Sequence, residues 1–102
     1  MATDAFRPIA AATVNIDVSS SSQRVIVANA NDNIQVRVAN DGTATVWLNW
    51  GDVTVTAATT TGYPLAAGAI EVVTLKASGL LYMAAIAAGS TGKVYATPGF
   101  GF

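Results

Sequence analysis

The sequence predicts an all-β fold, a single antiparallel β-sandwich of about eight strands, and three observations support this prediction. Val, Ile and Thr are abundant, and turn residues interrupt the chain every 8 to 12 residues or so, which is typical of a sandwich or barrel of short strands. No stretch combines a 3.6-residue apolar period with helix caps. The 102 residues suffice for one domain. We expect a jelly-roll-like arrangement, with an immunoglobulin-like sandwich as the alternative.

Alternation of apolar and polar residues locates the strands. Ile34, Val36 and Val38 alternate with polar residues and give the clearest strand with one buried face. The Asn-Asp-Gly sequence at 40–42 follows, and Asp-Gly between two alternating runs predicts a hairpin. The expected strands cover residues 13–18, 24–28, 34–38, 43–50, 53–57, 69–76, 80–87 and 93–97, with the last two joined as a hairpin.

Two segments carry more than one structural signal. Ala69 to Lys76 is apolar on both faces, which indicates a strand that is central to a sheet or half-covered by a partner. Met83 to Ala88 is rich in Ala and has helical propensity. Gly79 and Gly89 bracket a run of strand length around it, so a strand is favoured.

The domain organisation is an arm, a core domain and a tail. Residues 1–12 form an extended N-terminal arm, because the Arg7-Pro8 step disfavours helical backbone. The sandwich covers residues 13–97, and residues 98–102 are an aromatic tail. The longest apolar stretch, Leu80 to Ala88, is far shorter than the ~20 residues of a membrane-spanning helix. No secretory signal is visible, so we expect synthesis in a cytoplasm and no membrane partner.

Composition favours binding over catalysis. Hydrophobic residues make up 52% and charged residues only 11%, against about 25% charged in average domains, which indicates an oligomer or a permanent partner. The net charge is -1 and Lys and Arg form no run, so no nucleic-acid surface is expected. The absence of Cys and His removes the usual nucleophile–base pairs and zinc sites. We expect no enzyme activity, no metal and no cofactor.

The remaining polar motifs favour turns over sites. The turn Asn29 to Asn33 is rich in oxygen ligands, but its spacing differs from a calcium loop, and short polar side chains are common in turns. The acids show no pairing of the kind that a glycosidase needs. They are Asp4, Asp17, Asp32, Asp41, Asp52 and Glu71.

Aromatic residues are the strongest candidates for contacts with a partner. Trp47 and Trp50 point to opposite faces of a regular strand, so we expect one in the core and one at a contact between subunits. The end Phe100-Gly101-Phe102 and the arm residue Phe6 are apolar where free chain ends are normally polar. The candidate interface residues are Phe6, Arg7, Pro8, Trp47, Tyr63, Phe100 and Phe102.

Three segments resemble small virion proteins of tailed phages. They are the arm Ala5-Phe6-Arg7-Pro8, the stretch from Tyr63 to Val72, and the ending from Ala84 to Gly89 and from Val94 to Gly99. The resemblance implies a capsid decoration, or cement, protein that sits on the outside of the head and clamps capsomers together. It implies the major capsid protein as partner, a homo-oligomer for which we expect a trimer, and location in the virion.

Two other functions stay open from the sequence. The first is another virion subunit, associated with the head–tail junction, the tail or a fibre. The second is a carbohydrate-binding module for recognition of a host surface. This function would need Trp47 or Trp50 exposed beside polar side chains.

Overall fold

The computed structural model describes residues 6–88 and 91–100, and these form a sandwich of two antiparallel sheets. The sequence alternates as predicted along β4, where Ile34, Val36 and Val38 are buried and Arg37 is exposed. The strands are β1 (Arg7–Pro8), β2 (Val14–Val18), β3 (Gln23–Ala30), β4 (Asn33–Asn40), β5 (Val46–Gly51), β6 (Tyr63–Leu65), β7 (Ile70–Lys76), β8 (Gly79–Ala87) and β9 (Gly92–Phe100).

The first sheet, sheet A, contains five strands and the second, sheet B, contains four. In sheet A, β9 lies between β4 and the pair β1 and β2, which follow one another along the same edge, and β7 forms the other edge beside β4. Sheet B has the order β3, β8, β5, β6. The all-β antiparallel sandwich is therefore confirmed, and this crossing connectivity is compatible with the jelly-roll-like arrangement.

The core lies between the two sheets and consists of aliphatic side chains. Val36 and Val38 of sheet A face Leu48, Met83 and Ala85 of sheet B, and each is at most 1% exposed. Burial of one such side chain stabilises the fold by roughly 1.5–3 kcal/mol. Met83 to Ala87 belongs to β8, so the strand predicted for the Ala-rich segment is confirmed.

Both predicted hairpins are wrong. The turn at 40–42 leads from β4 in sheet A to β5 in sheet B, and β8 and β9 also lie in different sheets. At the first of these turns the Asp41 N–H donates to the Lys93 carbonyl at 2.9 Å, so the chain stays bound to β9 while it crosses. The Gly89 and Ser90 part of the second turn lies outside the described residues.

Two further expectations need correction or refinement. Residues 53–57 form no strand and belong instead to the long connection from β5 to β6. The strand expected over 69–76 exists, but β7 lies at an edge of sheet A, so the central position is wrong. In the part of the chain that the structure describes, no helix is long and apolar enough to cross a membrane.

Candidate interaction surfaces

The outer face of sheet A carries two exposed aliphatic side chains on its edge strand β7. Ile70 and Val72 on β7 are 53% and 45% exposed. Val72 pairs with Arg37 on β4, and Arg37 pairs with Thr97 on β9, so these side chains cross the face in one row. An exposed sheet face that combines aliphatic residues with a cation is suited to contact with another protein surface.

A pocket of about 410 Å³ lies at the arm side of this face. It is lined by Phe6, Pro8, Thr13, Arg37 and Thr97. The hydroxyls of Thr13 and Thr97 are hydrogen-bonded at 2.8 Å and hold β9 to the segment before β2. The pocket therefore brings one guanidinium and two hydroxyls beside an aromatic ring and a proline.

The described part of the N-terminal arm packs on its own domain. β1 pairs with the end of β9, with Arg7 opposite Phe100, and the Ile9 N–H donates to the Pro98 carbonyl at 2.9 Å. A Cβ atom at Gly99 would lie 2.7 Å from Cζ of Phe6, so the Phe6 ring lies directly on the glycine backbone. Glycine at 99 is what allows the arm to approach β9 this closely.

Of the aromatic residues predicted at the ends, Phe6 is half-buried against Gly99 and Phe100 is 43% exposed in the last position of β9. Arg7 and Pro8 are both exposed on the outermost strand of sheet A. Phe102 lies outside the described residues. The structure thus brings Phe6, Pro8 and Arg37 together, and sequence reasoning missed Arg37 because the pairing of β4 with β9 is a long-range contact.

Residues 52–62, here called the strap, cover part of the outer face of sheet B. The Ala57 N–H donates to Oγ of Ser22 at 2.9 Å, and Nδ2 of Asn49 donates to the Thr56 carbonyl at 3.1 Å. Ala84 points to this outer face, yet it is fully buried. The strap therefore closes the part of sheet B around Ala84, whereas Ile26 and Leu80 of sheet B remain exposed, and sheet A has no such cover in the described residues.

The two tryptophans lie on opposite faces of β5, as the sequence predicts. Trp50 packs against the core, and its indole N–H is buried without a hydrogen-bond partner in the described residues. Trp47 is half-buried on the other face, where Gly62 of the strap lies against it. Trp50 does not offer the open ring that stacks on a sugar, since it packs against Tyr63 with ring centres 5.9 Å apart.

Tyr63 joins the edges of the two sheets. It lies on β6, is 39% exposed, and donates its phenolic hydrogen to a carboxylate oxygen of Glu71 on β7. This hydrogen bond to the carboxylate raises the pKa of Tyr63, because ionisation of the phenol would remove the donor. This contact, here called the strut, connects β6 to β7.

Asp32 and Asp52 act as turn formers, whereas Asp17 on β2 forms an ion pair with Lys93 at 3.5 Å. Oδ1 of Asp32 accepts the Asn33 N–H at 2.8 Å. Oδ1 of Asp52 accepts both the hydroxyl and the N–H of Thr54, at 2.6 and 2.9 Å, and the hydroxyl bond lowers the pKa of Asp52. Within residues 6–88 and 91–100, no three acidic side chains gather as metal ligands.

Comparison with known proteins identifies a fold relative and no family. No protein-family model and no curated sequence matches this chain. Among solved structures, the chain is similar to a subunit of Bacillus endospore appendages, described as a novel family of disulfide-linked pili. The TM-score is 0.51 at 14% identity, over 100% of this chain and 92% of that chain. At this identity the likeness concerns the fold.

Proposed function

We propose that this protein is a structural subunit of a larger protein assembly, that it acts by binding, and that it is not an enzyme. The observation that carries the proposal is the open outer face of sheet A, where Ile70 and Val72 are exposed on a chain with only 11% charged residues. Contiguous exposed apolar residues mark sites of protein contact. The arm and the pocket that contains Arg37 extend the same face.

The specific role that we propose first is a phage capsid decoration protein, following the resemblance of the arm and of the segments at 63–72 and 84–99 to small virion proteins. In that role sheet A and the arm contact the major capsid protein, and the subunit itself is a homo-oligomer. The protein is then located in the virion after synthesis in the host cytoplasm. A rigid β domain with apolar contact area would oppose the strain that packaged DNA places on capsomers.

A subunit of a pilus-like filament is the second candidate, and the fold shared with the endospore appendage subunit favours it. That appendage is described as disulfide-linked, whereas this chain contains no Cys. A filament of this protein would therefore be held together by buried area and hydrogen bonds alone.

One experiment separates these roles. The purified protein is incubated with decoration-free tailed-phage heads, the mixture is sedimented, and the protein alone is imaged by electron microscopy. Co-sedimentation with heads supports the decoration role, and filaments of the isolated protein support the second candidate. A protein that neither binds heads nor assembles by itself would overturn the proposal of a structural subunit. A matched variant, Val72→Asp, is expected to weaken either assembly, because it places a charge on the open face.

A further inference from the structure

Each sheet of the sandwich has two edges, and three of the four edges carry features that block the addition of another strand. β6 is three residues long and contains Pro64. The edge formed by β1 and β2 contains Pro8 and is broken between them, and β3 has a register shift between Ile26 and Ala28. Proline, bulges and short strands are usual protections of sheet edges, as are charged side chains.

The fourth edge, β7, carries the charged residues Glu71 and Lys76 but has no proline, bulge or break. Its seven residues keep one continuous register with β4, from Ile70 opposite Ala39 to Lys76 opposite Asn33. The strand contains no proline. An uninterrupted edge strand of this length presents a row of unpaired backbone groups to any strand that approaches it.

The hydrogen bonds at the two ends of β7 show which backbone groups face outward. The Asn40 N–H donates to the Ala69 carbonyl at 3.0 Å, and the Ala77 N–H donates to the Asp32 carbonyl at 3.1 Å. Since antiparallel residues alternate between bonding inward and outward, the odd-numbered residues of β7 bond to β4. The N–H and C=O groups of the even-numbered residues therefore point away from the sheet; these are Ile70, Val72, Thr74 and Lys76.

The side chains of β7 are incompletely covered on both faces. Val73 and Leu75 point toward the core but remain partly exposed, because β6 opposite them is so short. Ile70 and Val72 are about half exposed on the outer face. A strand added beside β7 would cover apolar side chains on both faces and would supply the missing backbone hydrogen bonds.

We propose that two copies of this chain pair through β7 in antiparallel orientation about a two-fold axis, which joins their A sheets into one continuous sheet. This inference deepens the proposed function of a structural subunit and rests on it. The longest register sets Val72 opposite the partner's Thr74 and Ile70 opposite the partner's Lys76. All outward-facing residues are then paired, and each pair exchanges two hydrogen bonds.

The charges of β7 favour this antiparallel register. Glu71 lies opposite the partner's Leu75, and Lys76 packs its aliphatic stem on the partner's Ile70. A parallel, in-register pairing would instead place Glu71 against the partner's Glu71 and Lys76 against the partner's Lys76, and like charges directly opposite one another are destabilising. The strand is therefore complementary to itself in only one of these two orientations.

Val72→Pro tests the pairing. The Val72 N–H points outward, so proline removes a hydrogen bond of the dimer while leaving the ladder between β7 and β4 intact. We expect sedimentation velocity to show a dimer for the wild type, and a dissociation constant at least tenfold higher for Val72→Pro. Ile26→Lys, at a position 43% exposed on sheet B, is the matched control and should leave the dimer unchanged.

Cysteine substitution tests the register, because the chain contains no Cys of its own. In the proposed register Val73 faces the partner's Val73 across the axis at about 4.5 Å between Cα atoms. Oxidised Val73→Cys should therefore give a covalent dimer. Val72→Cys should not, since its Cα atoms are then further apart than the ~7 Å limit of a disulfide.

The outcomes separate this inference from the proposed function. A monomeric wild type, a dimer that Val72→Pro leaves intact, or cross-linking by Val72→Cys alone would each overturn the pairing through β7. Binding to heads or growth of filaments is measured independently of these variants. A structural subunit that assembles through another surface would still pass those assays.

Discussion

Asn40 is the buried polar residue on which the link between the two sheets depends, and its replacement should destabilise the fold strongly. It is 2% exposed at the end of β4. Its Nδ2 donates to the carbonyls of Ala44 and Leu65 at 2.9 and 3.0 Å, and its Oδ1 accepts the Gly42 N–H at 2.9 Å. Each bond contributes about 1 kcal/mol net, so Asn40→Ala should lower the free energy of unfolding by about 3 kcal/mol.

Urea denaturation followed by tryptophan fluorescence measures this loss. Asn15→Ala is the control, since Asn15 is exposed on β2 and its replacement should change the free energy of unfolding by less than about 0.5 kcal/mol. A loss below about 1 kcal/mol for Asn40→Ala would show that water or relaxation of the turn replaces the three bonds. The reasoning that the side chain holds the turn to β6 would then be refuted.

Asn40→Asp adds a pH dependence of known sign. The new carboxylate would face the carbonyls of Ala44 and Leu65 without a donor, so its folded-state pKa should lie above the ordinary value of about 3.9. A raised acid pKa destabilises the fold as the pH rises above the unfolded-state value of about 3.9, and protonation restores a donor as the pH falls. The deficit of Asn40→Asp relative to wild type should therefore shrink on acidification, whereas that of Asn40→Ala should stay constant.

Two further changes test the arm and the strut. Gly99→Ala would make a methyl group clash with the Arg7 backbone carbonyl and lie 2.7 Å from the Phe6 ring, so the arm should detach and the Ile9 amide should lose its hydrogen-exchange protection, while the core stays folded. The pKa of Tyr63 is raised in the folded state, so its contact with Glu71 stabilises the fold below pH ~10 and is lost as the pH rises through the folded-state pKa. Tyr63→Phe should remove that part of the alkaline loss of stability in urea denaturation at increasing pH.

The sequence was sufficient for the fold class because the signals that decide it are local. Alternation along β4 and bracketing glycines around β8 depend on residues close in sequence, and both predictions are confirmed. The strand to which a turn leads is decided by contacts between residues that are distant in sequence. Asp-Gly at 41–42 favours a tight reversal, but the bond from Asp41 to the Lys93 carbonyl and the side chain of Asn40 direct the chain into the other sheet.

The strand predicted from the alternation at 53–57 was wrong for a related reason. Val55 packs against Gly51, and Ala57 is buried, so these two apolar positions are covered without a strand ladder, whereas Val53 is 54% exposed. The open face of sheet A was likewise beyond local reasoning. Its central cation, Arg37, becomes part of a pocket only through the pairing of β4 with β9, which no spacing in the sequence encodes.

The apolar residues of β7 bear on how the protein assembles. A strand that is apolar on both faces is expected in the centre of a sheet, yet β7 lies at an edge. An exposed edge of this kind attracts other chains non-specifically unless a defined partner covers it. The other three edges are blocked, and the chain contains no Cys for covalent links. We therefore expect a subunit of this fold to add a strand at β7.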